Sequence, residues 1–381
     1  MEAGITTRLV ELGDVIDVFD NQRVPLSGSQ RRLRQGNFRY YGAQGVIDSI
    51  DDFIFDGQYV LVAEDGENLN SRKLPLALIA QGKFWVNNHA HVIKGRPKVL
   101  DDHYLLYCLN QMDIRPFVTG AAQPKLSQGN LRRIEIELPP LEEQRRIAGI
   151  LSVYDDLIEN CQRRIKILEE MARSLYREWF VHFRYPGHES VPLINSPVGP
   201  IPKGWDVLLL GEACELVMGQ SPKSEHYNSD GIGYPFHQGV TDFGTRYPTD
   251  RLFCSVVGRM SKPGDILFSV RAPVGRLNIA KNAIVLGRGL SAIRAKDGLQ
   301  ELLWENLSNL FTQVDMIGNG SIFNSVTKAD VYNVKLVYPD PTIGEHANGL
   351  LKPMHKEIGA LSEMISNLSV TRELLLSKLF K

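Results

Sequence analysis

Several things are scarce in this sequence, and each scarcity excludes a class of protein. Four cysteines, Cys108, Cys161, Cys214 and Cys254, stand far apart among 381 residues with no CxxC spacing. That removes a zinc ribbon or disulfide framework and leaves reduced thiols as the expectation. No apolar run approaches the roughly 18 residues a spanning helix needs. The opening MEAGITTRLVELGD carries charges and no apolar h-region, so a signal peptide is not expected and a cytoplasmic location is. The formal net charge is −1, so any nucleic-acid surface has to be local. There is no GxGxxG after a strand, no GxxxxGK[ST] loop and no GxSxG elbow. The carboxylates form no spacing that suggests an acid/base dyad. His89-Ala90-His91 would put two imidazoles on one face of a strand, but no third ligand is signalled, so no metal and no catalytic residue is expected.

What is present is long-range order. From Ile147 to Trp179 apolar residues step by four and three: Ile147, Leu151, Tyr154, Ile158, Cys161, Ile165, Leu168, Ala172, Leu175, Trp179. This is the seam of a helix built to pair with another, with charged faces between. Two hundred positions later the ladder recurs as Ala347, Leu351, Met354, Ile358, Leu361, Ile365, Leu368, Arg372, Leu375 and Leu379. Its one break is Arg372, where the first copy has Ala172. A narrow apolar stripe needs a partner. The seam could serve dimerisation, but its duplication favours pairing within the chain, antiparallel about a pseudo-twofold axis.

The repeat extends beyond the helices. Leu12-Gly13-Asp14 is mirrored by Leu210-Gly211-Glu212, and Gly120-Ala121 through Pro139 by Gly320-Ser321 through Pro339. The expected organisation is a strand-rich domain over 1–140, a long helix over 141–181, a Pro/Gly-rich linker over 182–204, a second domain over 205–340 and a second long helix over 341–381. Asp56-Gly57 and Asp65-Gly66 read as turns. Thr342-x-x-Glu345 has the capping-box pattern. Gly149 to Ser152 and Pro353 are expected to interrupt the two helices. The fold class is α+β: two similar α/β domains separated by two long antiparallel helices.

Both domains carry basic and amide residues in loops: Arg31, Arg32, Arg34, Arg39, Gln44, Lys83, Asn87, Asn88, Gln123 and Lys125 in the first, and Lys223, His226, His237, Gln238, Arg246, Arg271, Arg276, Arg288, Asn324 and Lys328 in the second. Arg, Asn and Gln make bidentate bonds to base edges, and Lys suits phosphates. Taken singly, each is more often solvated surface than a contact.

The stretch Gly120-Ala-Ala-Gln-Pro-Lys-Leu-Ser through Leu138-Pro-Pro-Leu-Glu-Glu-Gln-Arg-Arg-Ile-Ala, with Ile201-Pro-Lys-Gly-Trp-Asp and Gly264-Asp-Ile-Leu-Phe-Ser-Val-Arg, resembles the specificity subunit of type I restriction–modification enzymes. The second junction, Tyr338-Pro-Asp-Pro-Thr, departs from that pattern. The resemblance implies two target recognition domains, each reading half of a split double-stranded DNA sequence. It implies helices that set the spacing and dock two modification subunits, and restriction subunits in the same complex. S-adenosylmethionine, ATP and Mg are expected on those partners and none on this chain, where no Asn-Pro-Pro-Tyr-like methylase motif occurs. A helix of roughly 40 Å at 1.5 Å per residue matches about 12 base pairs. Two other readings stay open: a stand-alone DNA-binding regulator, and a coiled-coil scaffold whose ends bind protein.

Overall fold

The structure, a computed structural model, describes residues 7–120, 122–316 and 326–380. The chain divides into two compact units, Met1–Glu159 with Ser366–Lys381, and Asn160–Ile365. Among the described residues no helix is long and apolar enough to cross a membrane.

In unit 1, β1 (Arg8–Glu11) leads through the short helix α1 (Leu12–Val15) into β2 (Ile16–Val18), followed by α2 (Gly28–Leu33), β3 (Gln35–Gly42), β4 (Gly45–Ile50) and β5 (Phe55–Ala63). Then come α3 (Asn68–Ser71), β6 (Ala77–Val86), β7 (Ala90–Gly95), α4 (Asp102–Gln111), α5 (Gln128–Arg132) and β8 (Glu135–Leu138). Six strands form one sheet in the order β2-β7-β5-β6-β3-β4, and β1 pairs with β8. Strands β5 and β7 are central because Val60-Leu61-Val62-Ala63 and Ala90-His91-Val92-Ile93 are buried on both faces. Helix α4 starts where Asp101 accepts from the His103 and Tyr104 amides, and α5 where Ser127 accepts from Asn130. Asp56-Gly57 is not a turn. Both residues lie inside β5, where Gly57 sits opposite Gly82 and each takes a positive φ.

Helix α6 (Leu141–Tyr176) begins in unit 1 directly after Pro139-Pro140, with Glu142 and Glu143 in its first turn where the helix dipole favours them. Gln144 is buried and ties the helix down: Oε1 accepts from the Asp101 amide (2.9 Å), and Nε2 donates to Val99 O (3.0 Å) and Pro139 O (2.9 Å). Ile147, Ala148 and Leu151 join the unit's core together with Leu376. Arg372, the break in the seam, donates to Asp155 (2.6 Å), which also accepts from the Tyr107 hydroxyl (2.6 Å).

Unit 2 opens with the rest of α6. The expected linker is built rather than open: β9 (Leu193–Ser196) and β10 (Gly199–Pro202) form a hairpin, and Tyr185, Ile201 and Trp205 pack with Trp179 and Phe180. There follow β11 (Asp206–Leu209), α7 (Leu210–Ala213), β12 (Cys214–Met218), β13 (Tyr227–Asn228), β14 (Tyr234–His237) and β15 (Phe253–Cys254). Next are β16 (Ile266–Ser269), β17 (Leu277–Ile279), β18 (Val285–Leu286), β19 (Leu290–Ala295), α8 (Gln300–Met316), α9 (Lys328–Tyr332), β20 (Lys335–Tyr338) and α10 (Pro341–Leu379). The sheets are β12-β19-β16-β17 and β13-β15-β14-β18, with β11 paired to β20.

The internal repeat holds to the residue. Arg8 pairs with Leu138 as Asp206 does with Tyr338, and Ile16 pairs with Gly95 as Cys214 does with Ala295. The β2-β7-β5 order recurs as β12-β19-β16. Within unit 2, Cys161, Ile165, Ile358 and Leu361 form one buried cluster, with Leu168 and Ile365 against it, and Leu351, Met354 and Leu175 pack into a second. In α6 Leu151 is buried, Tyr154 half-buried and Ile158 buried; in α10 Leu368 and Leu375 are half-buried, and Leu376 is the more enclosed of the last pair.

Both expected interruptions are overturned: α6 runs through Gly149 to Ser152 and α10 through Pro353. Pro353 lacks the N–H that would bond Gly349 O, a loss of about 3 kcal/mol in a helix interior. It stays because Pro353 is exposed, Gly349 has open space around it, and Leu351, Ile358 and Leu361 on the same helix are buried. The capping box at Thr342 is replaced by an Asp340 cap: its Oδ1 accepts from the Thr342 amide (2.9 Å), with Pro341 as the first helical residue.

Candidate nucleic-acid interface

The arginines of the first domain do not form one patch. Arg31 donates to Asp48 (2.9 Å) and to Leu26 O (2.8 Å), with its guanidinium over Tyr40. Arg34 bonds Asp51 (2.9 Å) and Asp52 (3.4 Å) and lies over Trp85. These two are largely spent on holding α2 against the sheet. Arg39 falls on the opposite face by strand alternation, interacting with Tyr41 and with the charge of Glu159. Arg32 and Gln44 are exposed, and exposed Lys83 stands over Phe53. Asn87 is corrected outright. It is buried, and its Oδ1 accepts from the His89 amide (2.8 Å), closing the turn before β7.

In unit 2 two more expectations fail for the same reason. His237 is fully buried, with Nε2 2.8 Å from Asp250. Arg246 is buried over Trp304 and donates to His355 Nδ1 (2.9 Å), whose Nε2 in turn donates to Glu305 (2.9 Å). These residues tie the unit together and are closed to a ligand. Lys223, Gln238, Arg271, Arg288 and Lys328 are exposed. So is Arg276, whose amide is held by Ser269 Oγ (2.8 Å). Asn324 and the Gly320-Ser321 junction lie outside the described residues.

What the structure brings together is a corner present in both units. In unit 1 the Glu64 amide donates to His89 O (2.9 Å) and the Leu126 amide to Glu64 O (2.8 Å). In unit 2 the Val270 amide donates to Gly289 O (2.9 Å) and the Val326 amide to Val270 O (2.9 Å). Three segments thus meet in each unit: the end of β5 or β16, the turn before β7 or β19, and the stretch entering α5 or α9. The exposed groups around the corner differ. Unit 1 shows Asn88, Gln123, Lys125 and His89, the last bonded to Asp65 (2.7 Å). Unit 2 shows Arg271 and Arg288, which make no ion pair among the described residues, with Gln238 joined through the Gly289 amide (3.0 Å). Gly120 closes the unit 1 loop. Its φ is +86°, and a Cβ there would lie 2.3 Å from Gln123 O.

Behind the unit 1 corner lies a charged network that no motif announced. His91 is 1% exposed, with Nδ1 2.6 Å from Asp20 Oδ2 and Nε2 2.8 Å from Leu126 O. Arg23 donates to Glu64 Oε2 (2.7 Å), and Lys125 lies 3.2 Å from Glu64 Oε1. Burial opposes ionisation of Asp20, but the His91 hydrogen bond and charge, the Val92 amide and Arg23 outweigh it and hold the carboxyl below its usual range. Glu64 is likewise held low against its burial by Arg23, His91 and Lys125. Asp20, Glu64 and His91 have donor atoms within 4.8 Å of one another. Their lone pairs are already committed to Arg23, Lys125 and the Val92 amide, so the chemistry is that of an ion-pair network. His89 and His91 do not share a face, because His89 sits in the turn ahead of β7. A histidine inside an apolar strand, and acidic residues closing the runs Val18-Phe19 and Tyr59–Ala63, were the available signals. At the matching register unit 2 has Met218, Val270 and Ser291 in place of Asp20, Glu64 and His91.

All four cysteines are free and buried. Burial pushes the Cys108 and Cys214 thiols up to about 12.

A family model described as the type I restriction modification DNA specificity domain matches residues 6–170. A protein of Methanocaldococcus jannaschii described as a type I restriction enzyme MjaX specificity subunit is 34% identical over 283 residues, 72% of this chain and 64% of its own length. One of Haemophilus influenzae, described as the type I restriction enzyme specificity subunit S.HindORF215P, is 30% identical over 279 residues, 70% of this chain and 66% of its own. The matched stretch therefore spans just under two thirds of these relatives. The crystal structure of a type I restriction-modification system S subunit from M. genitalium superposes with a TM-score of 0.72 at 16% identity, covering 100% of this chain and 98% of that one. That likeness is one of fold.

Proposed function

The chain belongs to the type I restriction–modification DNA specificity family, and from that premise we propose that it reads a bipartite double-stranded DNA target, one half with each unit. The observation that carries this is the repeated corner. One backbone frame recurs in register while the exposed groups on it change from Asn88, Gln123 and Lys125 to Gln238, Arg271 and Arg288. A shared scaffold with exchanged hydrogen-bonding side chains is what two readers of different half-sites require. The chain is the non-catalytic member of its complex and sits in the cytoplasm. Methyl transfer belongs to two modification subunits and cleavage to restriction subunits, which hold S-adenosylmethionine, ATP and Mg. The long helices α6 and α10 serve as spacer and docking surface. The test is selection from a random duplex pool by the full chain co-expressed with its modification subunits. Two short motifs separated by unselected positions are expected, and absence of any enriched motif overturns the reading.

A further inference from the structure

We propose that His91 is a positioning residue for the first reader: buried and touching no DNA, it holds the Gln123–Leu126 segment in the geometry that reads one half-site. This rests on the bipartite reading above. Leu126 O is a carbonyl and can only accept, so His91 Nε2 carries a proton. Asp20 already accepts the Val92 amide at Oδ1 (2.9 Å) and is held ionised, so its Oδ2 accepts as well and Nδ1 carries the second proton. The ring in this corner is an imidazolium, and charge-assisted bonds of this kind are stronger and more directional than neutral ones.

Leu126 is gripped through both of its backbone polar groups. Its amide donates to Glu64 O (2.8 Å) and its carbonyl accepts from His91. The preceding residues are fixed by the same network. Lys125 Nζ lies 3.2 Å from Glu64 Oε1, and Pro124 O accepts from the Gly66 amide (3.0 Å). Glu64 in turn is held by Arg23, and His91 Nδ1 lies 3.7 Å from its Oε2. Among the described residues the charged groups around the ring act on Gln123–Leu126 directly or through Glu64: Asp20 from just after β2, Glu64 from the end of β5, and Arg23 and Lys125 paired to Glu64. Gln123 and Lys125 are exposed beyond this base, and the Lys125 side chain keeps 54% of its surface open while paired.

Unit 2 supplies the control within the same molecule. Its Val326 amide keeps the bond to Val270 O, but Ser291 stands where His91 stands, and the buried Ser291 hydroxyl has no hydrogen-bond partner. Among the described residues the second corner has no matching grip on the carbonyl side. The two readers differ in how their entry segment is held, the first by a histidine bond to Leu126 O.

The experiment uses the full chain with its modification subunits and a random duplex pool, comparing the unmodified chain with His91→Ser, the residue that unit 2 carries there. One half-motif is expected to lose about tenfold or more of its base preference, the scale of one bidentate contact, while the other half-motif is retained. Amide exchange at Leu126 is expected to accelerate while Val60 and Leu105, both buried away from this network, stay protected, which separates mispositioning from unfolding. Should His91→Ser not fold, His91→Gln, which keeps one N–H donor, is expected to fold and to weaken the same half-motif to a smaller degree. Retention of both half-motifs, or unchanged exchange at Leu126, overturns the proposal. If the unmodified chain enriches no motif, the bipartite reading itself fails, and that result is distinct from a variant that selects like the unmodified chain.

Discussion

Where β5 ends in unit 1, an aspartate, a glutamate and a histidine close the corner; where β16 ends in unit 2, a methionine, a valine and a serine do. The helix starts differ in a smaller way. Gln144 bonds the Asp101 amide in unit 1; in unit 2 Gly344 stands there against Leu299, and the polar tie moves one turn on, where Asn348 Oδ1 accepts from the Leu302 amide (3.0 Å). The corner frame is thus closed in two ways, by a charged network in the first copy and by uncharged side chains in the second. A buried charged network and an apolar filling of the same volume are close in net free energy. Either serves the frame, and the choice is free to follow what each corner presents to a ligand.

The largest effect is expected where the chain relies on its seam. Ile165→Asp places an unpaired carboxylate between Ile358 and Leu361 and should cost about 3–5 kcal/mol; a thermal melt unchanged by it refutes the helix pairing. Next, the two corners should resist exchange of single parts. Val270→Glu buries a carboxylate beside Met218 and Ser291, where the first copy's Arg23 and His91 have no counterpart, and Glu64→Val removes the carboxylate that Arg23 and Lys125 share; each should cost about 2–4 kcal/mol by denaturant titration. Replacing Asp20, Glu64, His91 and Arg23 together by Met, Val, Ser and Leu should cost less than Glu64→Val alone, and additivity of the single effects would show that the network does not act as one body.

A smaller contrast comes from the repeated glycine after the first strand. A Cβ on Gly211 would fall 1.8 Å from the Tyr332 ring, while one on Gly13 meets Arg132 Cβ at 3.1 Å. Tyr332 is partly exposed and can swing, so Gly211→Ala should cost about 1–2 kcal/mol and Gly13→Ala under about 1 kcal/mol; equal costs would mean the two turns relax alike. Acid should also separate the corners. Asp20 and Glu64 are held below their ordinary values of 3.8 and 4.5, so their contribution is complete above those values and is lost as pH falls through the lower folded ones. Exchange at Leu126, corrected for its intrinsic pH dependence, should rise relative to Val326 between about pH 5 and pH 2. The smallest change in stability belongs to Arg271→Ala, within about 0.5 kcal/mol for an exposed side chain, while DNA affinity of the assembled complex falls; unchanged affinity removes Arg271 as a contact.

The legible part of this protein was what repeats. The four-and-three ladder and its second copy two hundred residues on named the helices and their faces, because a packed seam constrains every turn of a helix. The matching junctions, Leu12-Gly13 with Leu210-Gly211 and the entry to α5 with the entry to α9, marked the shared frame. The candidate contacts are less legible. Asn87, His237 and Arg246 look like surface donors, and each turned inward because a turn, a carboxylate or an aromatic ring waits there. Residue type names the bond a side chain can make and leaves its partner open.

Amino-acid order alone thus determined the class, the repeat and the seam, since local periodicity follows from helix and strand geometry and needs no distant partner. Tertiary structure decided the rest: that α10 runs unbroken through Pro353, that the linker closes as a hairpin, and that His91 stands charged between Asp20 and Leu126. Those outcomes depend on groups dozens of residues apart whose burial together sets which bonds are made, and no local pattern carries that information.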